Sequence, residues 1–385
     1  MSDIASLLIE RAQALVPLLA EHAAEAERQR KPHDDVIAAL EEAEIFKLMV
    51  PAERGGFGLD LDTFLEVGLT LAEGDASMAW VTTFYIEHCW MFCHFPEATQ
   101  KEIFAERSYA LAPGVIAPNG IAEPEDGGFR LNGRWQWGTG VMHAHWIIVG
   151  ARVLREDDAL DLRFFAMPPA DITIDDTWYV DGMQGTGSND IVIKDLFVPE
   201  THSTSMLDML SGQGHGAKLY SGPLYSTPMI PILALAASMP AVGQARAAVK
   251  RFRDTMQDRI LYGTADKQAD KPAAQIRLAR ADIEARQAEL LLRDVVREVM
   301  QLRTDATVDD RARWVASFAY AVDQSKRVLQ SIAEASGAHA HFQSHPLQRA
   351  VRDVNTMACH VVFDLDQNLE RLGKAMLGQE PKGLL

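Results

Sequence analysis

The chain has 385 residues, of which 48 % are hydrophobic, and it carries a formal net charge of −17 at pH 7. This length is too great for one small core and indicates two or three cooperating domains around a large interior. The strongly acidic balance argues against nucleic acid or an anionic membrane as the main partner, although it still permits a local basic pocket for a phosphate.

Three cysteines, Cys89, Cys93 and Cys359, form no disulfide framework and fit a reducing cytoplasm. The spacing of Cys89 and Cys93 suits two buried residues of one helix. As a metal clip they would need two further ligands that the sequence does not place, so no metal is predicted.

The hydropathy of the sequence favours neither a membrane protein nor a secreted one. The first residues lack the basic leader and apolar core of a secretory signal. The longest apolar stretch, from Leu224 to Met239, contains Pro228 and Pro231 and is too short and broken to span a bilayer. We therefore expect a cytoplasmic protein.

Residues 1–107 are predicted to form an N-terminal helical domain, because apolar residues recur there close to a 3.6-residue period. Asp34 and Asp35 mark a helix start, and Pro51 with the following glycines ends that helix. Two further helices are predicted, from about 62 to 73 and from about 77 to 95. The second of these is unusually aromatic and contains Trp80, Phe84, Tyr85, Trp90, Phe92 and Phe95.

Residues 108–200 are predicted to form a central β-domain, because glycine and proline become frequent and short alternating runs appear. Asp126-Gly127-Gly128 is a hairpin-type turn. Six or more strands would make a small barrel or sandwich. The runs are FRLNGRW, HWIIVGARV, LRFFAMP, DITID and DIVIKDLFVP.

Residues 201–230 are rich in Gly, Ser and Pro and are predicted to be a connecting loop, with a place over the active site as one option. Residues 231–385 return to long amphipathic helices, which are typical of a four-helix bundle. The order of helices, strands and helices predicts an α+β, mainly α fold and argues against a Rossmann domain. The nearest glycine-rich match, Gly182 to Gly187, precedes a strand instead of a helix, which rejects the dinucleotide fingerprint.

Four local patterns extend from about residue 40 to 365. They are Phe46-Lys-Leu-Met-Val-Pro51 with Glu53-Arg-Gly-Gly-Phe-Gly58 and Leu71-Ala-Glu-Gly-Asp-Ala-Ser77, the segment from Gly182 to Pro199, Arg259-Ile-Leu-Tyr-Gly263 with Gln275 and Ala279, and Pro346-Leu-Gln-Arg-Ala-Val-Arg-Asp353. Together these patterns resemble the acyl-CoA dehydrogenase superfamily. The resemblance implies an N-terminal helical domain, a central β-barrel or sandwich and a C-terminal four-helix bundle.

One difference from most acyl-CoA dehydrogenases, the lack of a glutamate base, indicates which branch of the superfamily the sequence resembles. Many acyl-CoA dehydrogenases carry a glutamate base beside the last motif, where it takes a proton from the thioester substrate. Residues 335–364 contain no glutamate and carry His360 instead. This arrangement resembles the two-component flavin-dependent monooxygenases of the same fold.

The resemblance to that branch implies a set of partners. Such enzymes use reduced FMN (or FAD) and O2 to hydroxylate an aromatic substrate, phenolic or indole-like, through a C4a-hydroperoxyflavin. A separate NAD(P)H-flavin reductase would supply the reduced flavin. The expected assembly is a homotetramer, built as a dimer of dimers.

A polar stripe in the last long helix is the first candidate site. Arg349, Asp353, Thr356, His360 and Asp364 recur at steps of three or four and are predicted to share one helix face. Such a stripe must meet partners, water or a ligand, and its histidine titrates near neutral pH. The resemblance implies that this histidine is a general base or hydrogen-bonding group toward the substrate hydroxyl; the alternative is a core histidine satisfied by the neighbouring aspartate.

The resemblance also implies a substrate pocket around His88, which would lie near the reactive carbon of the flavin. Tyr85, Trp90 and His143 are the other predicted lining residues, together with His360. An interior helix histidine is the alternative for His88. Three further aromatic residues are equally compatible with the pocket and with the core, namely Trp80, Phe84 and Trp137.

Two segments are predicted to contact the flavin ring. Trp135, Thr139 and Gly140 lie at a strand-to-turn junction, where the family places a hydroxyl, usually of serine, near flavin N5. A donor there would be catalytic, because it could stabilise the oxygen adduct, although the β-branch stiffens the threonine side chain. The second segment is rich in small residues that let the backbone approach a cofactor, with a structural turn as the alternative, and contains Gly185, Thr186, Gly187 and Ser188.

Arg259 is the predicted ligand of a flavin phosphate, because a guanidinium binds phosphate through two parallel hydrogen bonds. In the family this segment reaches the flavin of a neighbouring subunit. The alternative is a surface ion pair with Asp258 or Asp266.

The sequence is also compatible with two other functions. The first is an FAD-dependent acyl-CoA dehydrogenase with a displaced base, for which Glu334 and Asp353 are poor candidates. The second is a non-catalytic flavin-fold binding protein. Tight binding of FAD would favour the first, and no binding of either flavin redox form would favour the second.

Overall fold

The fold is described from a computed structural model, which covers residues 2–155 and 159–383. Helices occupy both ends of the chain and strands its middle, so the predicted mainly α, α+β architecture is confirmed. The α-helices are α1 (Asp3–Gln29), α2 (Asp34–Glu42), α3 (Leu61–Ala72), α4 (Ala76–Phe92), α5 (Glu97–Ile103), α6 (Met206–Leu210), α7 (His215–Leu219), α8 (Met229–Asp258), α9 (Pro272–Leu302), α10 (Val308–Ser336), α11 (Pro346–Met357) and α12 (Leu365–Met376). The strands are β1 (Gly114–Glu125), β2 (Gly128–Gly138), β3 (Ile147–Val153), β4 (Asp161–Met167), β5 (Thr173–Asp175), β6 (Asn189–Pro199) and β7 (Ser203–Ser205).

Helix α4 is the centre of the N-terminal domain. All of its residues are buried, as expected for a helix that is apolar on every side. Asp75 begins the helix by accepting a 2.8 Å hydrogen bond from the backbone N–H of Met78. Its neighbours are α3, α8 and α11 on the helical side and the turn at 184–186 on the β side, so α4 joins the two kinds of domain.

The strands form one sheet in the order β5-β6-β2-β1-β3-β4-β7. The predicted hairpin is present, because Glu125 pairs with Gly128 across Asp126 and Gly127, and Gly127 takes the left-handed conformation at φ 78°. Strand β4 approaches β6, although three strands separate them in the sheet. The sheet therefore curls around its own apolar core in the manner of a barrel.

Helices α8, α9, α10 and α12 pack side by side as the predicted C-terminal bundle. Helix α8 is long and apolar enough to cross a bilayer by composition, but 89 % of its apolar window is buried inside the protein. The apolar character of this helix is thus explained by its place in the core.

Two sequence predictions about the helical regions are wrong. Residues 201–230 are not a plain loop: they contain β7, α6 and α7, and they pack on the N-terminal domain, where Tyr225 donates a 3.0 Å hydrogen bond to the carbonyl of Met49. The last long helix is broken, since α11 ends at Met357 and α12 begins at Leu365. His360 and Asp364 accept hydrogen bonds from the backbone N–H groups of Val362 and Gln367, and such local acceptors compete with a continuous helix.

Candidate active site

One face of α4 forms an aromatic wall with a histidine from beyond α11. Trp80, Phe84 and His88 follow one another at steps of four residues, and their ring centroids are 4.8 Å and 5.5 Å apart. The imidazole of His360 meets the indole of Trp80 edge-on at 5.6 Å. We use the name aromatic wall for these four residues, and it unites both predicted catalytic histidines.

A row of hydroxyls from the β-domain lies against the aromatic wall. The hydroxyl of Thr139 is 3.1 Å from that of Ser188, which is 2.7 Å from that of Thr186. The indole N–H of Trp80 donates to Thr139 at 3.3 Å. Ser188 and Thr186 are buried, whereas Thr139 is half-buried, so the hydroxyl row (Thr139, Ser188 and Thr186) is reached from outside through Thr139.

His88 is a neutral imidazole with a defined tautomer. Its Nδ1 is 2.7 Å from the carbonyl of Ala112, and because a carbonyl only accepts, the proton is on Nδ1. Burial lowers the pKa of His88 to about 4 and raises that of its neighbour Glu87 to about 8. A carboxyl oxygen of Glu87 is 3.1 Å from Nε2 of His88, but neither oxygen of Glu87 has an aligned hydrogen bond, so this pair is a neutral contact and not an ion pair.

His360 has the opposite tautomer. Its Nδ1 accepts a 3.3 Å hydrogen bond from the backbone N–H of Val362, which places the proton of the neutral ring on Nε2. Burial lowers the pKa of His360 to about 4, so the ring is uncharged at neutral pH. The expected partner Asp364 instead begins α12. The ring therefore presents an N–H donor and not a base.

Four residues predicted for the site have structural contacts elsewhere. The indole of Trp135 is fully buried in the core of the sheet and donates to the carbonyl of Gly150 at 2.6 Å, so it cannot face a cofactor. Trp90 donates to the carbonyl of Leu224 at 3.3 Å, on a different face of α4 from the aromatic wall. The other two are Tyr85, whose hydroxyl donates to the carbonyl of Gly140 at 2.5 Å, and His143, whose Nε2 is 2.8 Å from Asp34.

The glycine-rich turn is shaped mainly by contacts within the protein. A Cβ on Gly185 would lie 3.2 Å from the Cβ of Ser77, and one on Gly187 would lie 2.6 Å from Cε of Met142. The absence of a side chain at both glycines therefore lets the turn pack closely on neighbouring parts of the protein. The turn begins at Met183, whose backbone N–H donates to Asp353 at 2.6 Å, and it presents the buried side of the hydroxyl row.

Arg259 lies at the end of α8, beside a second candidate site. Its guanidinium donates to Gln268 and to the carbonyl of Ala335, and the alternative ion pair with Asp258 or Asp266 is absent among the described residues, where those aspartates face Lys267 and Lys271. A cavity of about 340 Å³ opens there. We call it the cationic cavity; its lining consists of Ala248, Arg251, Thr255, Arg259, Ser336, His339, His345 and Leu347.

Arg251 and Arg259 bring two guanidinium groups to the cationic cavity. Burial lowers the pKa of His345, and nearby His339 and Arg251 add to the effect, so His345 is neutral at physiological pH. Two guanidiniums in one concave site suit a phosphate. Arg259 was predicted from the sequence, whereas Arg251, His339 and His345 were not. The histidine-rich run before α11 was an available signal for the two histidines.

A group with metal-ligand chemistry lies outside these sites. His22, His33 and Asp35 bring their ligand atoms within 4.8 Å of one another. The two imidazoles stack at 4.0 Å, and Nδ1 of His33 accepts from the backbone N–H of Asp35 at 3.3 Å. These side chains are thus engaged in stacking and helix capping.

Comparisons with known proteins agree with this architecture along the whole chain. The family "Acyl-CoA dehydrogenase, N-terminal domain" matches residues 10–109, and "Acyl-CoA dehydrogenase, C-terminal domain" matches residues 235–365. A pigment production hydroxylase of Rhodococcus sp. is 34 % identical over 96 % of both chains. The oxygenase component of an FADH2-dependent resorcinol hydroxylase of Rhizobium sp. is 31 % identical over 98 % of this chain and 95 % of that one.

Solved structures give the same result. A 3-HSA hydroxylase from Rhodococcus sp. RHA1 superposes with a TM-score of 0.93, 29 % identity and 98 % coverage of both chains. XiaF from Streptomyces sp., in complex with FADH2 and glycerol, superposes with a TM-score of 0.93, 27 % identity, and coverage of 100 % of this chain and 98 % of that one. The chain therefore belongs to the acyl-CoA dehydrogenase family and, within it, to the oxygenase components of flavin-dependent monooxygenases.

Proposed function

We propose that this protein hydroxylates a small phenolic substrate with reduced flavin and O2, the flavin being supplied by a separate NAD(P)H-flavin reductase. The observation that carries the proposal is the neutral imidazole of His360, which is fixed on the aromatic wall with its N–H donor on Nε2. Relatives named as resorcinol hydroxylase and p-hydroxyphenylacetate 3-hydroxylase support the choice of a phenol.

The residues present fit a flavin. Thr139 is the accessible end of the hydroxyl row, and beside it Trp137 exposes 55 % of its surface. Gly140 adopts φ 69°, a conformation that turns the chain without a side chain in the way. Arg251 and Arg259 in the cationic cavity would hold the phosphate, in a homotetramer where that cavity serves the flavin of a neighbouring subunit.

When bound, reduced flavin would supply two electrons to O2, so that one oxygen atom of O2 enters the product and the other leaves as water. The protein contributes position, polarity and dryness. The N–H of His360 would donate to the oxygen of a substrate whose phenolic proton has passed to solvent, and this hydrogen bond stabilises the phenolate, whose ring carbons are more nucleophilic. The rings of Trp80 and Phe84 pack beside the substrate and exclude water. This exclusion limits the share of reduced flavin that yields H2O2 instead of hydroxylated product.

The two carboxylates considered as bases for the competing acyl-CoA dehydrogenase function lie away from the aromatic wall. Glu334 is 74 % exposed on the bundle and lies 3.9 Å from Arg277. Asp353 is buried and accepts from the backbone of Met183. Neither carboxylate belongs to the aromatic wall. The free cysteines, with Cys359 exposed, agree with the proposed cytoplasmic location.

The experiment compares phenols with their methyl ethers under ¹⁸O₂, with a flavin reductase regenerating the reduced flavin. We expect a hydroxylated phenol with one ¹⁸O atom, and little product from the matched ether, since the ether offers no proton to release. Equal turnover of phenol and ether would contradict the role of His360, and oxidation of an acyl-CoA with an artificial acceptor would contradict the oxygenase function.

A further inference from the structure

The hydroxyl row continues to a backbone carbonyl, and this contact sets the direction in which the hydroxyls donate their hydrogen bonds. Thr186 is 2.9 Å from the carbonyl oxygen of Met183. The full sequence of contacts is therefore Trp80 Nε1 to Thr139 at 3.3 Å, Thr139 to Ser188 at 3.1 Å, Ser188 to Thr186 at 2.7 Å, and Thr186 to Met183 O at 2.9 Å. Each hydroxyl has only one proton to give.

The two ends of this sequence of contacts determine which atom donates. The indole N–H of Trp80 only donates, and the carbonyl of Met183 only accepts. If Thr186 donates to the carbonyl, Ser188 must donate to Thr186, and Thr139 must donate to Ser188. In this direction a proton lies in each of the four contacts.

The reverse direction leaves one contact without a proton. If Thr139 kept its proton for a ligand, only the protons of Ser188 and Thr186 would remain for the three contacts between Thr139 and the carbonyl of Met183. Whichever way these two hydroxyls donate, two oxygen lone pairs would face each other at one of these contacts, which measure 3.1, 2.7 and 2.9 Å. Unpaired buried polar contacts of this kind are costly, so the first direction prevails.

The carbonyl at the inner end is itself held in place. Met183 has the left-handed conformation, φ 60°, which is unfavourable for a residue with a side chain. Its N–H donates to Asp353 at 2.6 Å, and its carbonyl also accepts from the indole of Trp178 at 2.9 Å. The acceptor that orders the hydroxyl row is thus fixed by contacts on both sides of Met183.

Thr139 consequently presents a lone pair, and not a proton, at its accessible end. Its proton is engaged with Ser188, one lone pair takes the N–H of Trp80, and one lone pair remains. Reduced flavin carries a hydrogen on N5 and can donate to that lone pair. Oxidised flavin has an unprotonated N5, which would place acceptor against acceptor.

We propose that Ser188 and Thr186 are positioning residues that orient the Thr139 hydroxyl as an acceptor and thereby make the site select reduced over oxidised flavin. This inference rests on the proposed function, because it places flavin N5 at Thr139. It reverses the role of donor that the sequence suggested for this threonine. It also assigns a part in cofactor selection to two buried hydroxyls that do not touch the flavin.

The test is the ratio of the dissociation constants of oxidised and reduced FMN, measured by anaerobic ultrafiltration, with the filtrate reoxidised before its absorbance is read. We expect the wild type to bind reduced FMN more tightly than oxidised FMN. Ser188→Ala frees the Thr139 proton to donate, so oxidised FMN should bind more tightly and the ratio should fall by roughly three- to tenfold, the range of one neutral hydrogen bond. Thr186→Val should have the same sign of effect, because Ser188 loses its acceptor.

Two variants serve as controls. Thr186→Ser keeps the hydroxyl and should restore the wild-type ratio. Ser325→Ala removes another fully buried hydroxyl, one that donates to the carbonyl of Ala321 within α10, and should leave the ratio unchanged. Binding of reduced FMN itself reports that each variant has folded.

The outcomes separate this inference from the function on which it rests. A ratio that favours reduced FMN and is unaltered in Ser188→Ala and Thr186→Val would overturn the role of the hydroxyl row and leave the oxygenase function intact. Failure of the wild type to bind FMN or FAD in either redox state would overturn the proposed function and this inference together.

Discussion

Replacement of His360 separates the two hydrogen bonds that this residue can make. In the wild type, Nδ1 of His360 accepts a 3.3 Å hydrogen bond from the N–H of Val362. Asparagine can place its side-chain oxygen in the same position, and it is a favourable residue for that capping role. It has no counterpart to the N–H on Nε2 in the same position. Alanine removes both interactions.

The expected losses differ accordingly. A hydrogen bond to a charged group contributes about 1.5–3 kcal/mol, so loss of the donor to a phenolate should lower kcat/KM by about 10- to 150-fold in both His360→Asn and His360→Ala. Loss of the capping hydrogen bond from Val362 should lower the free energy of unfolding by ~0.5–2 kcal/mol, and only in the alanine variant. The half-buried position of the ring makes an intact fold the expected result in both.

The assay measures hydroxylated product and H2O2 per reduced flavin consumed, together with the thermal midpoint of each variant. We expect His360→Asn to keep its Tm and to shift flavin consumption from product to H2O2. Hydroxylation by His360→Asn within twofold of the wild type would refute the donor role. An equal loss of Tm in both variants would refute the capping argument.

Three further predictions concern other parts of the structure. Burial, reinforced by nearby Asp75, raises the pKa of Asp353 to about 7, so the folded protein keeps a proton that the unfolded chain releases from about pH 4 upward. The free energy of unfolding therefore falls as pH rises through this window. The Tm of Asp353→Asn minus that of the wild type should be higher by a few degrees at pH 8 than at pH 5, and a constant difference would count against the raised pKa. Arg259→Gln should weaken FMN binding about tenfold and leave riboflavin binding unchanged, and Arg253→Gln is the surface control. Equal effects on the binding of both flavins would contradict a contact between Arg259 and the phosphate. Gly140→Ala puts a Cβ 2.2 Å from the hydroxyl of Tyr85, whereas a Cβ at Gly127, which has the same left-handed backbone, has no atom within 4 Å. Thermal unfolding should therefore show a larger loss of Tm for Gly140→Ala than for Gly127→Ala.

The strands show which parts of the fold the sequence could predict. Alternating runs and the Asp126-Gly127 turn located the regular strands, because their periodicity reflects the inner and outer faces of the sheet. Strand β1 was missed, since its residues include glycine, proline and asparagine and its pairing shifts register between Val115 and Gly120. Gly120 leaves room for the indole of Trp135, whose ring would lie 2.1 Å from a Cβ there; no local pattern reveals such a contact.

The site was predictable where residues share one helix face or one turn. Trp80, Phe84 and His88 follow from helical spacing, and Thr139 was identified by resemblance. Trp135 was misplaced because the register of β2 with β6 shifts after it, and such a bulge changes which side chains point inward. His360 was found at the site, but the break after Met357 that sets its tautomer depends on hydrogen bonds of Val362 and Gln367, which the sequence alone does not specify.

Control by the protein over the reaction of reduced flavin with O2 can be measured directly by stopped flow without substrate. Reduced FMN bound anaerobically would be mixed with oxygenated buffer while O2 and the 450 nm absorbance of oxidised flavin are followed together. We predict that O2 is consumed well before the absorbance returns. Simultaneous changes at the rate of free reduced FMN would contradict the assignment as an oxygenase.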